Sequence, residues 1–367
     1  MTCQTQSGPH TKSPTATARY LEADVRLARG RGGGETPPAP TTSCDQKIRR
    51  GSFTGFKLKR GINRRRAFFL QSKPIPWNVH RRTLKSPELR RIFYLYRKEE
   101  GSISVEYFDI HAHIFPVSLA EKAVGWLESY YGYSWEGKGI SDDLLASMDA
   151  SSVRRAVIFS SATKPMQVRD VNDFLAKTQR ENPERFFAFG TLHPDYGDLR
   201  GELTRLRELG LHGLKFHPDF QHFAIDDPRM FRIYEMVGDT LPMLFHVGDR
   251  KSDLSAPRRL AAVLDAMPGL RVVAAHFGGY RAWEEARRCL IGRDLWIDTS
   301  STLPYLPVSE AAQMAREHGI DRVLFGSDYP AVRHDRAIDD VLKLGFAPEE
   351  NEKIFHFNAE RLLGLTP

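Results

Sequence analysis

Short apolar segments alternate with longer amphipathic segments eight times between residues 105 and 367. Apolar runs of four to eight residues are typical of buried strands, and the amphipathic runs have the spacing of helices. Strands that alternate with helices pair in parallel, and eight such units in about 260 residues predict a (β/α)8 TIM barrel. A doubly wound open sheet is the alternative, but it usually has fewer strands, and no Gly-rich phosphate loop follows the first strand.

The first predicted strand carries Asp109, His111 and His113 at alternate positions. Side chains alternate along a strand, so we expect these three to face one way and Phe108 and Ile110 to face the other. Two imidazoles on one face can both reach one cation, and imidazole is a common zinc ligand. An edge strand with two partly exposed histidines would give the same pattern, so this motif alone does not decide between them.

Polar residues collect where the predicted strands end, and these ends form the catalytic face of such a barrel. Six of the 13 histidines lie there, together with a lysine and an aspartate: His111, His113, His193, Lys215, His217, His246, His276 and Asp328. Three imidazoles and a carboxylate form a good site for one divalent transition ion with an open position for water. The sequence therefore predicts a metal-dependent enzyme.

The first 104 residues have a different composition from the rest of the chain. Residues 1–106 hold 22 Lys and Arg against 8 Asp and Glu, whereas residues 107–367 carry a net charge of −7. The Thr, Ser, Gly, Pro and Arg content predicts a disordered basic extension before a barrel over residues 105–367. A basic arm can bind nucleic acid by neutralising phosphates, but without a folded reading module we do not expect a nucleic-acid function.

Composition also limits the compartment and the partners. The three cysteines, Cys3, Cys44 and Cys289, are far apart, which is typical of a reducing compartment and favours a cytoplasmic protein. The sequence contains no run of about 18 apolar residues, so we expect no membrane-spanning helix. The expected partner is a small-molecule substrate, and assembly into a homo-oligomer stays open.

Residues 106–365 resemble the amidohydrolase superfamily, in the branch related to aminocarboxymuconate semialdehyde decarboxylase. The resemblance rests on five motifs in this order: Asp109-Ile110-His111-Ala112-His113, Gly213-Leu214-Lys215-Phe216-His217-Pro218, Phe245-His246-Val247-Gly248, Ala275-His276-Phe277-Gly278-Gly279 and Gly326-Ser327-Asp328-Tyr329-Pro330. The final segment Asn358-Ala359-Glu360-Arg361-Leu362-Leu363 is also similar, and residues 1–104 lie outside the resemblance.

The resemblance implies that one metal ion, zinc or alternatively manganese, is held by four side chains: His111, His113, His246 and Asp328. It implies that His276 hydrogen-bonds a water on the metal or the substrate oxygen, and that Asp328 takes the proton of that water. Lys215 and His217 are expected to bind the substrate. For Lys215 the expected role is a contact with a carboxylate of the substrate, or alternatively a structural contact.

The resemblance leaves two reactions open. The branch contains hydrolases of amides and lactones as well as decarboxylases that lose carbon dioxide without oxidation. Many aromatic-acid decarboxylases of the branch carry Glu-x-His on the first strand, and this chain has His111-x-His113. We therefore expect a metal-dependent hydrolase, with a non-oxidative decarboxylase as the alternative. A binding protein with a basic arm is the non-enzymatic alternative, and it does not explain the histidines at the strand ends.

The native chain is predicted to begin near Val105. No Met occurs between Met1 and Met148, and Val105 read as an initiator would give a protein that starts directly before the first strand. Mass spectrometry of the native protein should therefore find its N-terminal peptide at residue 105. Native peptides from residues 1–100 would contradict this start site.

Overall fold

The computed structural model describes residues 106–365. Its eight strands form one parallel sheet in sequence order, as predicted. The strands are β1 Tyr107–His113, β2 Val153–Phe159, β3 Phe186–Gly190, β4 Gly213–Phe216, β5 Met243–Phe245, β6 Val272–Ala274, β7 Trp296–Asp298 and β8 Val323–Leu324. The predictions for residues 1–104 fall on a segment outside the described residues and stay predictions.

Helices connect the strands and surround the sheet. They are α1 Val117–Tyr131, α2 Ser141–Ala150, α3 Val168–Glu181, α4 Leu199–Glu208, α5 Pro218–Gln221, α6 Pro228–Val237, α7 Pro257–Ala266, α8 Trp283–Cys289, α9 Val308–His318, α10 His334–Lys343, α11 Pro348–Glu352 and α12 Asn358–Leu363. A proline occupies the first turn of several of them, where its missing N–H costs nothing. The aspartates before α4 and α6 accept hydrogen bonds from backbone N–H groups of the first turn.

Apolar residues that alternate along the strands form a central cluster. Its members come from six strands and from α12: Phe108, Ile110, Val157, Phe159, Phe189, Leu244, Val273, Ala275, Leu324, Ala359 and Leu362. A larger apolar cluster packs the other strand faces against the helices. Because the core fills the barrel with apolar side chains, the polar residues of the strands collect at the carboxyl ends.

The sheet closes into a barrel where β8 meets β1. Ile110 N donates to the Phe325 carbonyl at 2.9 Å, and His113 N donates to the Tyr329 carbonyl at 2.7 Å. Asp328 N donates to the His111 carbonyl at 2.9 Å. These bonds extend the pairing beyond the two residues of β8, so the last motif of the sequence lies directly beside the first.

The carboxylate of Asp109 reinforces this closure. It is fully buried, and it accepts from His111 N and Ser327 N, each at 2.9 Å. It also accepts from Ser327 Oγ at 2.5 Å and pairs with His334 Nε2 of α10 at 3.0 Å. One side chain of β1 therefore holds the backbone that follows β8 and the first residue of α10.

The expectation that Asp109 shares a face with His111 and His113 is wrong. Asp109 contacts α10 on the outside of the barrel, whereas His111 contacts Asp298 at the end of β7 inside it. Between Asp109 and Ala112 the pairing with β2 shifts by one residue. Such a β-bulge places two residues of one strand opposite one residue of its partner, so the alternation of faces is interrupted.

Replacing Asp109 by Asn should lower the free energy of unfolding by about 2–4 kcal/mol. The amide group would place N–H donors against the donors that the carboxylate now satisfies, and unpaired buried donors are costly. Urea unfolding followed by circular dichroism measures the change. D142N, at an exposed position in the first turn of α2, is the control and should leave stability unchanged. An equal, small effect of both variants would contradict the assigned role of Asp109.

Candidate metal centre and active site

Three side-chain atoms meet where β8 joins β1. His111 Nε2 lies 3.3 Å from His113 Nε2 and 3.2 Å from Asp328 Oδ1, and His113 Nε2 lies 3.6 Å from the same oxygen. Ligands held about 2.1 Å from one tetrahedral ion are about 3.4 Å apart, so this spacing fits the ligands of a single ion. We call His111, His113 and Asp328 the metal triangle.

Asp298, at the end of β7, orients the first of these ligands. Its Oδ2 accepts a hydrogen bond from His111 Nδ1 at 2.8 Å. Because an ionised carboxylate only accepts, the proton is assigned to Nδ1, and Nε2 presents its lone pair to the metal triangle. Asp298 Oδ1 accepts from His276 N at 2.9 Å. The same carboxylate therefore positions a ring of β1 and the backbone after β6.

A second chain of hydrogen bonds, through Ser300 and His276, sets the orientation of His246. The Ser300 carbonyl lies 3.2 Å from His276 Nδ1 and can only accept, so this nitrogen carries the proton. The Ser300 hydroxyl donates to Asp298, and it too accepts from His276 Nδ1. His276 Nε2 then accepts from His246 Nδ1 at 3.0 Å. His246 Nε2 is left as a buried lone pair that has no hydrogen-bond partner among residues 106–365.

This unpartnered nitrogen tests whether a metal suits the site. Buried polar atoms in native proteins are nearly always hydrogen-bonded, so a buried lone pair directed into the mouth is suited to bind a cation. Both His111 and His246 are held in the tautomer that a metal ligand requires. The side chains at the mouth therefore fit a divalent ion.

The ring of His246 nevertheless lies apart from the metal triangle. Grouping ligand atoms that lie within 4.8 Å of one another places His246 with His217 and Asp219 instead. Its ring stacks on that of His217, with centroids 4.0 Å apart and planes 9° from parallel. The role of His246 as fourth ligand therefore stays a prediction.

Burial and neighbouring charges set the protonation states of the mouth. Burial and the Lys215 ammonium hold the pKa of His113 well below its usual value, and burial lowers the pKa of His276 to about 4. Burial also lowers the pKa of His111, but the Asp298 and Asp328 carboxylates outweigh it and raise that pKa. Burial raises the pKa of Asp328, yet the adjacent histidines lower it overall. Metal binding requires an ionised carboxylate and neutral imidazoles, so Asp328 and His113 are ready for an ion, whereas His111 would release a proton when it binds one.

Lys215 points into the barrel next to the metal triangle. Its side chain is fully buried, and Nζ lies 3.4 Å from His111 Nε2 and 4.5 Å from the centre of the Phe159 ring. Burial lowers the pKa of Lys215 to about 7. Within residues 106–365, none of the ion pairs shorter than 4.0 Å involves this lysine. Near neutral pH the side chain is therefore partly protonated, and its ammonium form can pair with an anionic substrate group.

Aromatic residues of the segment between β1 and α2 cover the mouth. Tyr131 directs its hydroxyl to within 3.3 Å of His217 Nε2, and its ring packs edge-on against Tyr280. Tyr133 packs against Tyr305, and Trp135 lies roughly parallel to Tyr131. Burial holds the pKa of Tyr131 well above its usual value, so the phenol stays neutral. The entrance is therefore lined by flat apolar rings with hydroxyl groups.

Sequence reasoning missed Asp298 and Ser300. Both follow the apolar residues of β7, in the segment Ile297-Asp298-Thr299-Ser300. The available signal was that polar residues directly follow an apolar run, as they do at the ends of the other strands. His193, in contrast, lies apart from the metal triangle, with its Nε2 3.1 Å from the Gln221 carbonyl.

Comparison with known families agrees with this geometry. The amidohydrolase family model matches residues 108–365. The chain belongs to the amidohydrolase family. This match covers the whole barrel and includes every member of the metal triangle, so the family resemblance found in the sequence is confirmed. Within the described residues of this amidohydrolase, no helix is long and apolar enough to cross a membrane.

Several relatives of this amidohydrolase are decarboxylases. The 2-amino-3-carboxymuconate-6-semialdehyde decarboxylase of Dictyostelium discoideum is 25% identical over 261 residues, covering 58% of this chain and 71% of the relative. The structure of 2,6-dihydroxybenzoate decarboxylase from Rhizobium gives a TM-score of 0.54 at 21% identity, covering 71% of this chain and 98% of that chain. A third relative is the 5-carboxyvanillate decarboxylase of Novosphingobium aromaticivorans, complexed with manganese and 4-hydroxy-3-methoxy-5-nitrobenzoic acid. Its structure gives a TM-score of 0.53 at 16% identity, covering 71% of this chain and 96% of that chain. The two structural similarities show a shared fold.

Replacing Asp298 by Asn should weaken metal binding by about 10–100-fold, which is typical for a partner that orients a ligand. An amide oxygen accepts from His111 Nδ1 less strongly than a carboxylate does. Calorimetric titration of the chelator-treated protein with Mn²⁺ or Zn²⁺ measures the affinity. D294N is the matched control, because Asp294 is 97% exposed in the loop before β7. Unchanged affinity in D298N would contradict the proposed orientation of His111.

Proposed function

We propose that this amidohydrolase is a metal-dependent decarboxylase that removes carbon dioxide from a small conjugated carboxylic acid without oxidation. The observation that carries the proposal is the metal triangle directly beside the buried side chain of Lys215, which forms an ion pair with no carboxylate of residues 106–365. The decarboxylase relatives favour this reaction over the hydrolysis expected from the His-x-His motif. The family contains both chemistries on one scaffold, so substrate turnover has to decide between them.

We infer that His111, His113 and Asp328 hold one divalent ion, with His246 as the fourth ligand. Zinc and manganese both suit nitrogen and oxygen donors, and manganese is the ion bound in the 5-carboxyvanillate decarboxylase. When bound, the ion would act as a Lewis acid that stabilises negative charge on substrate oxygens. Asp298 and the pair of Ser300 and His276 would keep the ligand lone pairs directed at it.

The protein's own charges then bind and orient the acid. The Lys215 ammonium lies in the same low-dielectric mouth as the metal triangle, where a carboxylate gains a strong charge-assisted hydrogen bond. In the reaction, the bond between the carboxylate carbon and the substrate breaks, and its electron pair stays on the substrate carbon. Carbon dioxide leaves, and one proton taken up from solvent is added to that carbon.

Asp328 is the group we assign to proton transfer. Its Oδ2 accepts from Ser301 Oγ at 2.5 Å, while Oδ1 faces the two histidines of β1. In contrast, both ring nitrogens of His276 are engaged, one by Ser300 and the other by His246. His276 would have to give up one of these bonds to hydrogen-bond a substrate oxygen, so its predicted catalytic role stays a prediction.

The aromatic entrance supports a planar substrate. Phe159 packs against the rings of His111 and His113, with centroids 5.1 and 4.7 Å away. Tyr131 and Tyr280 lie above the histidines of β4, β5 and β6. Flat conjugated acids stack favourably on such rings, and conjugation delocalises the electron pair that the departing carboxylate leaves behind. Action on a small soluble acid also agrees with the cytoplasmic location predicted from the cysteines.

Incubation with carboxylic acids tests the proposed function. The chelator-treated protein, reloaded with Mn²⁺ or Zn²⁺, should release carbon dioxide from at least one of 2,6-dihydroxybenzoate, 5-carboxyvanillate and 2-amino-3-carboxymuconate-6-semialdehyde. D328N should lose activity about 10²–10⁴-fold, because it removes both a ligand and the proton-transfer group. D294N should retain it. Hydrolysis of lactones or amides in a parallel panel, without carbon dioxide release from any acid, would overturn the proposal.

A further inference from the structure

Three rings stack in parallel beside the metal triangle. The Phe220 ring lies 3.8 Å from that of His217, with planes 7° from parallel. His217 in turn lies 4.0 Å from His246, at 9°. We call Phe220, His217 and His246 the ring stack. It connects the short helix α5 to the histidine that ends β5.

Both faces of the His217 ring are covered, so a substrate can reach no more than its edge. The residue is 4% exposed. Its Nε2 lies 3.3 Å from the Tyr131 hydroxyl, and its Nδ1 lies 3.9 Å from Asp219 Oδ2, too far for a hydrogen bond. The substrate contact predicted for His217 from the sequence stays a prediction. The largest contacts of the His217 side chain are therefore with the rings of Phe220 and His246, which cover its two faces.

The ring stack supplies a constraint on His246 that hydrogen bonding does not. The bond from His246 Nδ1 to His276 Nε2 fixes one edge of the ring. It leaves the ring free to tilt about that edge, which would swing the Nε2 lone pair away from an ion. A parallel ring against the face opposes this tilt. Metal sites need their ligands within about 10–20° of the productive orientation, so such a constraint matters for affinity.

The outer end of the ring stack is itself held in place. Trp126 and Tyr130 of α1 pack edge-on against Phe220, with centroids 5.0 Å away in both cases and planes at 74° and 88°. Phe220 is therefore fixed between α1 and His217. The aromatic residues of α1 support the stack from outside the barrel mouth.

We propose that Phe220 is a positioning residue. Through His217 it holds the His246 ring in the plane from which Nε2 binds the metal. The inference rests on the proposed metal centre, and it is independent of the reaction that the centre performs. His217 acts in the same way, by its ring face and not by its nitrogens.

Metal affinity of paired variants tests this role. Calorimetric titration of the chelator-treated full chain with Mn²⁺ or Zn²⁺ should show affinity weakened about 10–100-fold in F220L and retained within threefold in F220Y. F223L is the matched control, because Phe223 is buried next to α5 and packs on Phe216 and His193, outside the ring stack. F223L should lower thermal stability and leave metal affinity unchanged.

A substitution of the middle ring separates stacking from ligation. H217F keeps a flat ring between Phe220 and His246 but removes both nitrogens, so it should keep metal affinity within threefold, whereas H217L should lose it about tenfold or more. This pair also tests the proposal if F220L does not fold. In spectra of ¹³C-labelled histidine, F220L should move the ring-proton signals of His217 downfield, because a ring-current shift is lost.

Three results would overturn the inference. The first is that F220L and F223L bind the metal with equal affinity. The second is that H217F loses as much metal affinity as H217L does. The third is that the wild-type chain binds no divalent ion. A wild-type chain that binds one ion with the predicted dependence on Phe220 but decarboxylates none of the acids would support the inference and remove the proposed function. The two failures are therefore distinguishable.

Discussion

The hydrogen bonds of the Asp109 carboxylate hold together the two strands on which the metal triangle depends. His111 and His113 lie on β1 and Asp328 follows β8, at the two ends of the barrel sequence. Their ligand atoms come within 3.6 Å because Asp109 binds the backbone of His111 and of Ser327 at once. The same hydrogen bonds that close the sheet therefore also place the side chains of the metal triangle beside one another.

Asp109, Asp298 and Asp328 have three different tasks, and their surroundings decide which. Asp109 faces only hydrogen-bond donors from protein, so it has a structural role. Asp298 contacts a ring nitrogen and the backbone after β6, so it orients histidines. Asp328 turns one oxygen towards two imidazole nitrogens, so it is available to a metal and to a proton. Residue type alone does not separate these roles.

The sequence predicts the barrel and the clustering of histidines because both follow from local patterns and from the rule that active sites lie at strand ends. It misplaces Asp109, since a β-bulge breaks the alternation of faces and leaves no clear local signal. It misses the links from Asp298 and Ser300 to His111 and His276, and the stacking of Phe220 on His217, because packing of side chains from separate loops sets them. The side chains that orient a candidate metal-binding histidine are therefore harder to predict from the sequence than the histidine itself.

An anomalous difference map from crystals of the Mn²⁺-loaded protein tests the central claim most directly. The account predicts one ion per chain, about 2.0–2.3 Å from His111 Nε2, His113 Nε2 and an oxygen of Asp328, with His246 Nε2 turned towards it. Two ions bridged by a carboxylated Lys215, or one ion bound only by His217 and Asp219, would contradict the proposed metal centre and every role assigned around it.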